Sequence, residues 1–230
     1  MSLIASNLQA VRQQIARAAS AAARPSDQIA LLAVSKTFGA DAVLEAWRAG
    51  QTAFGENYLQ EAIDKVVAVA AAQPDAALEW HFIGPIQSNK TRPIAENFAW
   101  VHSVEREKIA RRLSEQRPAH LPALNLCLQV NVSGEASKSG AALNEAAAIA
   151  RAIAALPRIR LRGLMAIPAP SDDPAQQRLA YRPLKALFDH LNAEGMALDT
   201  LSMGMSADLA AAIAEGATIV RIGSAIFGNR

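Results

Sequence analysis

ALLAVSKTFGADAVLEAWRAGQTAFGEN, residues 30–57, predicts a strand, a helix and a second strand in that order. An apolar run of strand length, residues 30–35, precedes residues 40–49, where apolar side chains recur at helical spacing and Gly50 marks the helix end. A second short run, residues 52–55, follows at once. Neither run alternates strictly between apolar and polar residues, so both predict strands of a parallel sheet that is covered on both faces. The stretch therefore predicts a βαβ unit.

The alternation of strand and helix patterns continues along the chain and gives eight candidate strands. They are residues 30–35, 52–55, 80–83, 100–102, 124–132, 161–165, 200–203 and 218–222. Eight βα units within about 200 residues match a single (β/α)8 TIM barrel better than a doubly wound sheet, the alternative that the pattern also allows. A helix predicted over residues 3–23 has no strand before it, and we expect it to pack outside the barrel or across its bottom. No Gly-, Ser- or Pro-rich linker divides the chain, so residues 1–230 are predicted to form one domain.

The composition is that of an ordinary globular protein. Hydrophobic residues make up 51% and charged residues 19%, which argues against a disordered or coiled-coil chain. No apolar run approaches the roughly 20 residues of a membrane span, and the first helix carries Arg12 and Arg17, unlike a signal peptide, so we expect a cytoplasmic protein. The net charge of +2 comes without a Lys/Arg block, and no nucleic-acid partner is expected. The single cysteine, Cys127, lies in an apolar run and predicts a buried structural thiol.

Lys36 directly follows the first predicted strand, at the end of the barrel where active sites are built. An ammonium group at the end of an apolar strand would be desolvated, and desolvation lowers the pKa of a lysine toward that of a nucleophilic amine. The simpler alternative is a rim lysine in water. Taken alone, Lys36 does not decide between the two.

Two turns of small residues follow the seventh and eighth predicted strands. The first reads SMGMSAD (residues 202–208) and the second reads RIGSAIFG (residues 221–228), and each opens into a helix. In this fold the loops after strands seven and eight recurrently bind phosphate, because backbone N–H groups at helix starts favour anions. Opposite a lysine, this pair of turns predicts a phosphorylated ligand with a carbonyl group.

Arg221 lies inside the eighth predicted strand between two apolar residues, where its charge needs a partner. A buried carboxylate is one candidate. The ring nitrogen of a cofactor is the other, because pyridoxal phosphate enzymes place either Asp or Arg there. An arginine does not hand over its proton, so such a ring would stay unprotonated and would be a poorer electron sink.

Further polar residues follow the second, third and fifth predicted strands. Asn57 could bond a ring hydroxyl or a phosphate, and Lys90 and Lys138 could attract an anionic ligand, whereas Glu56 and Lys90 could equally be solvated rim charges. The four histidines lack metal-ligand spacing, and no metal site is expected.

Several motifs together resemble the YggS/PROSC family of pyridoxal phosphate homeostasis proteins. They are AVSK (33–36), FGENY (54–58), HFIG (81–84), QSNK (87–90), SKSG (137–140), GLM (163–165), LSMGMS (201–206) and RIGSAIFG (221–228). The resemblance implies the barrel of fold-type III pyridoxal phosphate proteins, related to the N-terminal domain of alanine racemase. The cofactor contacts that it implies are Lys36 for the Schiff base, Ser202, Ser206, Gly223 and Ser224 for the phosphate, Arg221 for the pyridine side, and Asn57.

The resemblance also implies a carrier or buffer of pyridoxal 5'-phosphate (PLP) that acts in intracellular PLP homeostasis and has no established catalytic activity. We expect a monomer that transiently meets PLP-dependent apoenzymes. The alternative is a one-domain amino-acid racemase, which needs a second base opposite Lys36, and the only tyrosines are Tyr58 and Tyr181. A Schiff-base aldolase acting on a phosphosugar is a third possibility, which the barrel, the lysine and the phosphate turns permit without a cofactor.

Overall fold

The computed structural model describes residues 2–135 and 138–228. Its strands are β1 (Ala30–Val34), β2 (Ala53–Glu56), β3 (Glu79–Phe82), β4 (Trp100–Val104), β5 (Leu124–Asn131), β6 (Ala141–Ala142), β7 (Ile159–Met165), β8 (Thr200–Ser202) and β9 (Ile219–Ile222). Parallel pairing runs in the order β4-β3-β2-β1-β9-β8-β7-β5, and β4 also pairs with β5, which closes an eight-stranded barrel. The eight predicted strands and the TIM barrel are thus confirmed, and the doubly wound sheet is wrong. The short β6 pairs with β5 outside the barrel.

Helices cover the outside of the barrel. They are α1 (Leu3–Ala21), α2 (Ala40–Arg48), α3 (Leu59–Ala72), α4 (Thr91–Asn97), α5 (Glu107–Gln116), α6 (Leu143–Ala154), α7 (Pro174–Ala193), α8 (Leu209–Ala214) and α9 (Ser224–Phe227). Gly50 and Gly195 follow α2 and α7 with φ of +82° and +89°, the left-handed conformation with which many helices end. Large side chains such as Phe54, Phe82 and Leu126 are fully buried and belong to the main hydrophobic core.

The N-terminal helix α1 packs on the outside of the barrel, against α2, α8 and α9. Leu8, Val11 and Ile15 form part of its buried stripe. Polar contacts add to this packing: the Arg12 guanidinium donates to the carbonyl oxygens of the turn after α2, and Asn7 Nδ2 donates to a carbonyl of α9 at 2.9 Å. The helix therefore ties the first and last parts of the chain together, and the prediction of outside packing is confirmed.

The barrel interior is partly polar. Successive residues of a strand point to opposite sides, and one inward set forms a small apolar cluster of Trp100, Cys127 and Met165. Burial raises the pKa of the Cys127 thiol to about 12, so the prediction of a buried structural thiol is confirmed. Buried polar groups of the interior include His81, His102, Ser202 and Arg221.

Gly163 allows β7 and β8 to approach closely. A Cβ atom at this position would lie 1.7 Å from the backbone oxygen of Thr200, its partner on β8. Gly163→Ala should lower the free energy of unfolding by about 3 kcal/mol, because the backbone of Thr200 is held by strand pairing and cannot move away as the end of a flexible side chain can. Urea unfolding followed by circular dichroism measures the loss. Gly39→Ala is the control, since no atom lies within 4 Å of its Cβ position and its φ is −75°, and an equal loss there would contradict the argument.

Candidate functional site

The residues predicted to form the site lie on four neighbouring strands, in the order β2, β1, β9 and β8 around the barrel. From β2 to β8 they are Asn57, Lys36, Arg221, Gly223, Ser224, Ser202 and Ser206. All of them lie at or near the C-terminal ends of these strands. Barrel closure therefore brings residues that are up to 188 positions apart, Lys36 and Ser224, to one side of the same mouth.

Lys36 is exposed at the end of β1, and the hydrogen bonds and ion pairs of the described residues do not include its amine. The desolvation expected of this side chain is therefore wrong for this structure. The next residue, Thr37, has φ of +68°, a left-handed conformation that is rare for a β-branched residue. Its backbone N–H donates to Glu61 Oε1 at 2.6 Å, and this contact holds the turn in place.

A buried ionic cluster lies behind this turn, on the side that faces α3. Lys65 Nζ donates to Glu56 Oε1 at 2.6 Å, to Glu61 Oε1 at 3.1 Å and to the backbone oxygen of Ser35 at 2.8 Å. The Ser35 hydroxyl also donates to Glu56 Oε1. Burial raises the pKa of Glu56, while Lys65 and Ser35 oppose that shift. Glu56 is fully buried and points away from the mouth, so its interpretation as a mouth or rim charge was wrong.

The turn after β9 exposes backbone donors at the mouth. Within the described residues, the N–H groups of Gly223, Ser224 and Ala225 have no hydrogen-bond acceptor. The rings of Phe38 and Phe227 stack with their centroids 5.2 Å apart, which joins the lysine turn to α9. Three neighbouring donors beside Lys36 can accept an anion.

The turn after β8 offers a second set of donors. The N–H groups of Ser206 and Ala207 also lack an acceptor in the part of the chain that is described, and both residues are exposed. Asp208 holds this turn, because its carboxylate accepts from the Met205 N–H and from the Tyr181 hydroxyl, each at 2.6 Å. Ser206 also borders a surface groove between α1 and α8.

The side-chain oxygen of Asn57 receives no hydrogen bond from the described residues. This Oδ1 atom is buried and has no hydrogen-bond partner in the described part of the chain, an arrangement that is rare in folded proteins. Asn57 lines a cavity of about 300 Å³ at the mouth, together with Gly84 and Gln129. A Cβ atom at Gly84 would lie 2.1 Å from the Asn57 backbone oxygen, so only glycine allows this approach. A ligand that donates a hydrogen bond would satisfy Asn57.

Arg221 is buried below the mouth and is held by two acceptors. Nη1 donates to Ser202 Oγ at 2.8 Å, and Nη2 donates to the backbone oxygen of Ala166 at 3.0 Å. The ion pairs of the described residues do not include Arg221, so the expected alternative of a buried carboxylate partner is not what the structure contains. Ser202 is fully buried and its hydroxyl is already engaged, so a phosphate contact by this hydroxyl would have to displace an existing bond.

Two histidines that the sequence did not single out continue this arrangement. His102 Nδ1 lies 2.7 Å from Ser202 Oγ, His81 Nδ1 lies 2.9 Å from His102 Nε2, and His81 Nε2 lies 2.8 Å from Glu79 Oε1. Burial lowers the pKa of both histidines. The available signal was that each histidine occupies an inward position of an apolar strand.

The remaining sequence candidates lie apart from this arrangement. Lys90 is exposed at the end of a short turn, which agrees with the rim alternative. Lys138 is half-buried, and Ser137 of the SKSG motif lies outside the described residues. Among residues 2–135 and 138–228, no group of three His, Cys, Asp or Glu side chains could hold a metal ion. No helix in these ranges is long and apolar enough to cross a membrane.

Comparisons with known proteins agree with this fold. The family model "Alanine racemase, N-terminal domain" matches residues 6–230. The barrel of alanine racemase from Corynebacterium glutamicum superimposes with a TM-score of 0.69 at 18% identity, covering 99% of this chain and 61% of that one, a likeness of fold alone. The structure of PipY from Synechococcus elongatus with PLP bound gives a TM-score of 0.84 at 35% identity, covering 98% of this chain and 100% of that one.

The chain is therefore a barrel protein of the class that the alanine racemase N-terminal domain defines. Curated relatives are more specific. The Pyridoxal phosphate homeostasis protein of Pseudomonas aeruginosa is 61% identical over 230 residues, covering 100% of this chain and 97% of that protein, and the protein of the same name from Escherichia coli K12 is 52% identical, covering 100% and 98%. The chain belongs to the pyridoxal phosphate homeostasis protein family, and the resemblance seen in the sequence is confirmed.

Lys65 should be essential to the cluster behind the lysine turn. Lys65→Met removes the cation beside the buried Glu56 carboxylate, so we expect it to lower the free energy of unfolding by about 3–5 kcal/mol at neutral pH. Because burial raises the pKa of Glu56 above its ordinary 4.5, the loss should be smallest near pH 4.5 and should grow as the pH rises through the folded-state pKa. Urea unfolding at several pH values measures it.

The double variant Glu56→Gln with Lys65→Met is the matched control. It removes the uncompensated charge and should recover most of the lost stability. A loss that is independent of pH and is not recovered by Glu56→Gln would contradict the proposed ionic role.

Proposed function

We propose that this chain binds pyridoxal 5'-phosphate as a Schiff base on Lys36 and acts in intracellular PLP homeostasis. The observation that carries this proposal is the position of an exposed lysine amine beside the backbone donors of Gly223–Ala225, and within residues 2–135 and 138–228 neither the amine nor these donors have a hydrogen-bond partner. An amine and a set of N–H groups are what an aldehyde and a phosphate on one small molecule require. The relatives named for PLP homeostasis, and PipY with PLP bound, support this choice of ligand.

The cofactor phosphate would be held mainly by backbone groups. The N–H groups of the turn after β9 and those of Ser206 and Ala207 are available, and the hydroxyls of Ser206 and Ser224 are exposed close to them. Asn57 Oδ1 would accept a hydrogen bond from the ligand, which would satisfy its orphaned oxygen. PLP would supply an aldehyde for an amine and an aromatic ring that withdraws electrons.

Arg221 would face the pyridine side of the ring. A guanidinium group donates hydrogen bonds and keeps its protons, so it would leave the ring nitrogen unprotonated. Such a ring is a weak electron sink, which disfavours removal of a proton from a bound amino acid. We therefore propose a carrier or buffer of PLP without catalytic activity of its own.

A racemase would need a second base on the face opposite Lys36. Tyr181 is fully buried, and its hydroxyl is bound to Asp208; burial raises the pKa of this phenol further. Tyr58 follows Asn57 and is 55% exposed, so of the two tyrosines it is the one that could reach a bound ligand. Neither residue has the surroundings of an activated base, which favours the carrier over the racemase.

Exposure of Lys36 fits the role of a carrier. An amine that water can reach can release its aldehyde by hydrolysis, and another amine can take the aldehyde over. We propose that PLP-dependent apoenzymes receive the cofactor transiently, and that the chain acts as a monomer and as one PLP-binding domain over residues 1–230. The cytoplasmic location expected from the sequence stays a prediction.

Lys36→Ala should abolish the visible absorbance of bound PLP and should leave the circular dichroism spectrum unchanged, because the side chain lies outside the packed core. Borohydride reduction of the wild type followed by peptide mass mapping should place a pyridoxyl group on the peptide that contains Lys36. Lys90→Ala, at the exposed rim, is the control and should keep the label at Lys36. A pyridoxyl group on another peptide would refute the proposal in favour of another site. A Lys36 peptide that is not labelled by reduction with PLP but is labelled by reduction with a phosphosugar would refute it in favour of an aldolase.

Protein saturated with PLP should not exchange the α-hydrogen of alanine for solvent deuterium. The reason is the absence of an activated base opposite Lys36 and the weak electron sink beside Arg221. Proton NMR of alanine in deuterium oxide measures the exchange, with a known alanine racemase as the positive control. Enzymatic exchange that disappears in Tyr58→Phe would overturn the non-catalytic assignment and would identify a one-domain racemase.

A further inference from the structure

We propose that a buried hydrogen-bonded chain crosses the barrel and positions Arg221 for the cofactor ring. From the cofactor end to the opposite end, its members are Arg221, Ser202, His102, His81 and Glu79, and we name this chain the relay. The inference rests on the proposed function, because the ring-side role of Arg221 belongs to that proposal. It adds the two histidines as positioning residues that touch neither the cofactor nor Lys36.

The relay is continuous and lies inside the barrel. Its four links measure 2.8 Å, 2.7 Å, 2.9 Å and 2.8 Å from Arg221 Nη1 to Glu79 Oε1, all within hydrogen-bonding distance. The first four members are no more than 5% exposed. Its members come from β9, β8, β4 and β3, so the relay joins strands from both sides of the barrel.

The two ends of the relay fix the position of every proton between them. A guanidinium group can only donate, and an ionised carboxylate can only accept. Ser202 Oγ accepts from Arg221, so its own hydrogen points to His102 Nδ1. His102 must then donate from Nε2 to His81 Nδ1, and His81 must donate from Nε2 to Glu79. Both imidazoles are neutral because burial disfavours their charged forms, and both then carry their hydrogen on Nε2.

The charges around the two histidines agree with this assignment. Burial lowers the pKa of both, and repulsion by His81, when it is charged, and by the Arg221 guanidinium on β9 lowers the pKa of His102 further. Its hydrogen bond with His81 lowers the pKa of the Glu79 carboxyl, which keeps the accepting end ionised. Other ionisable groups near the relay include Cys127 on β5, Arg162 on β7 and Asp199 before β8, and Asp208 and Tyr181 lie on the side of Arg221.

The relay orients the Arg221 guanidinium but does not use all of its N–H groups. Two of its N–H groups are used by Ser202 and by the Ala166 carbonyl, and the others have no acceptor among the described residues. A planar guanidinium that is fixed at two points has its remaining donors fixed as well. A ring nitrogen placed beside it would then meet a preorganised donor, which costs less entropy than ordering a loose side chain.

The far end of the relay is open to solvent. Glu79 is half exposed and borders a cavity of about 230 Å³ at the N-terminal ends of the strands, along with Arg162 and Asp199. Acid therefore reaches the relay from the end of the barrel opposite the cofactor. A proton taken up by His81 places its Nδ1–H against the Nε2–H of His102, unless the His102 hydrogen moves to Nδ1 and bonds Ser202 Oγ; either change breaks or reverses links of the relay and weakens the fixation of Arg221.

Nitrogen-15 NMR of the histidines tests the relay in protein without PLP. We expect His81 and His102 to be neutral at pH 7 and both to show the tautomer with hydrogen on Nε2. In Ser202→Ala, His102 should lose the shift of a hydrogen-bonded Nδ1. A charged imidazole at pH 7, or the Nδ1–H tautomer at either histidine, would overturn the relay whether or not the protein binds PLP.

The positioning role is tested in the PLP-loaded protein. His81→Phe removes the member that Ser202 and His102 separate from Arg221. We expect the rate of PLP release to rise about tenfold, since one hydrogen bond to a charged group stabilises by about that factor. We also expect a changed visible spectrum and a weaker dependence on pH below about 6.5, because the pKa of both histidines is lowered from 6.5. Ser202→Ala should reproduce the effect if the phenylalanine variant does not fold.

Cys127→Ala, in the same interior but outside the relay, is the matched control, and it should release PLP with the rate and pH profile of the wild type because its relay is intact. Release from His81→Phe and Ser202→Ala that matches this control would overturn the positioning role. Failure of the wild type to form a Schiff base on Lys36 would refute the proposed function instead, and the NMR result would then stand alone.

Discussion

Backbone pairing between β1 and β9 is the constraint on which the site depends. Leu32 lies opposite Arg221 and Ala33 opposite Ile222, so the strand that precedes Lys36 runs beside the strand that carries the arginine and leads into the turn at Gly223–Ala225. The closing pair of β4 and β5 fixes the circumference. Because the sheet is closed, β1 and β9 lie side by side. The register of their pairing therefore sets the relative positions of the Lys36 amine, the turn after β9 and the Arg221 guanidinium.

Polar groups stabilise this arrangement from both sides of the barrel wall. Outside it, Lys65 binds the Ser35 carbonyl and two carboxylates and so fixes the turn after β1. Inside it, the relay fixes Arg221. Buried polar groups are costly unless they are paired, and in both places they are paired mainly with one another. The two networks therefore limit how far the lysine turn and the arginine can move independently.

Much of the fold could be predicted from the sequence, because apolar runs bounded by Gly and by helical patterns mark the strands. The predicted strand 124–132 became Leu124–Asn131, and the position of Lys36 followed from the end of the first strand. Its exposure did not follow, because it depends on how far the neighbouring loops extend over the mouth. Glu56 was wrongly expected near the mouth, although it points to the outside of the barrel like Phe54, two residues earlier on the same strand.

The relay was beyond what the sequence patterns could establish. His81 and His102 each fit an inward position on a buried strand, but their contact with each other and with Ser202 depends on strand tilt and register around the whole barrel. Such three-dimensional coincidences leave no local signature in composition or spacing. The same applies to the contact of Tyr181, which lies on the outer helix α7 and is fully buried with its hydroxyl bound to Asp208.

The contact of α1 with α9 has a consequence for biosynthesis. Asn7 donates to the Ile226 carbonyl, and β1, the strand that follows α1, pairs with β9, the last strand of the chain. During translation the first helix and strand leave the ribosome long before their partners exist, and the edge of β1 stays open until residues 219–222 emerge. The barrel can therefore close, and the turns after β8 and β9 can reach the end of β1, only near the end of synthesis, and until then the edge of β1 is open to pairing with other chains.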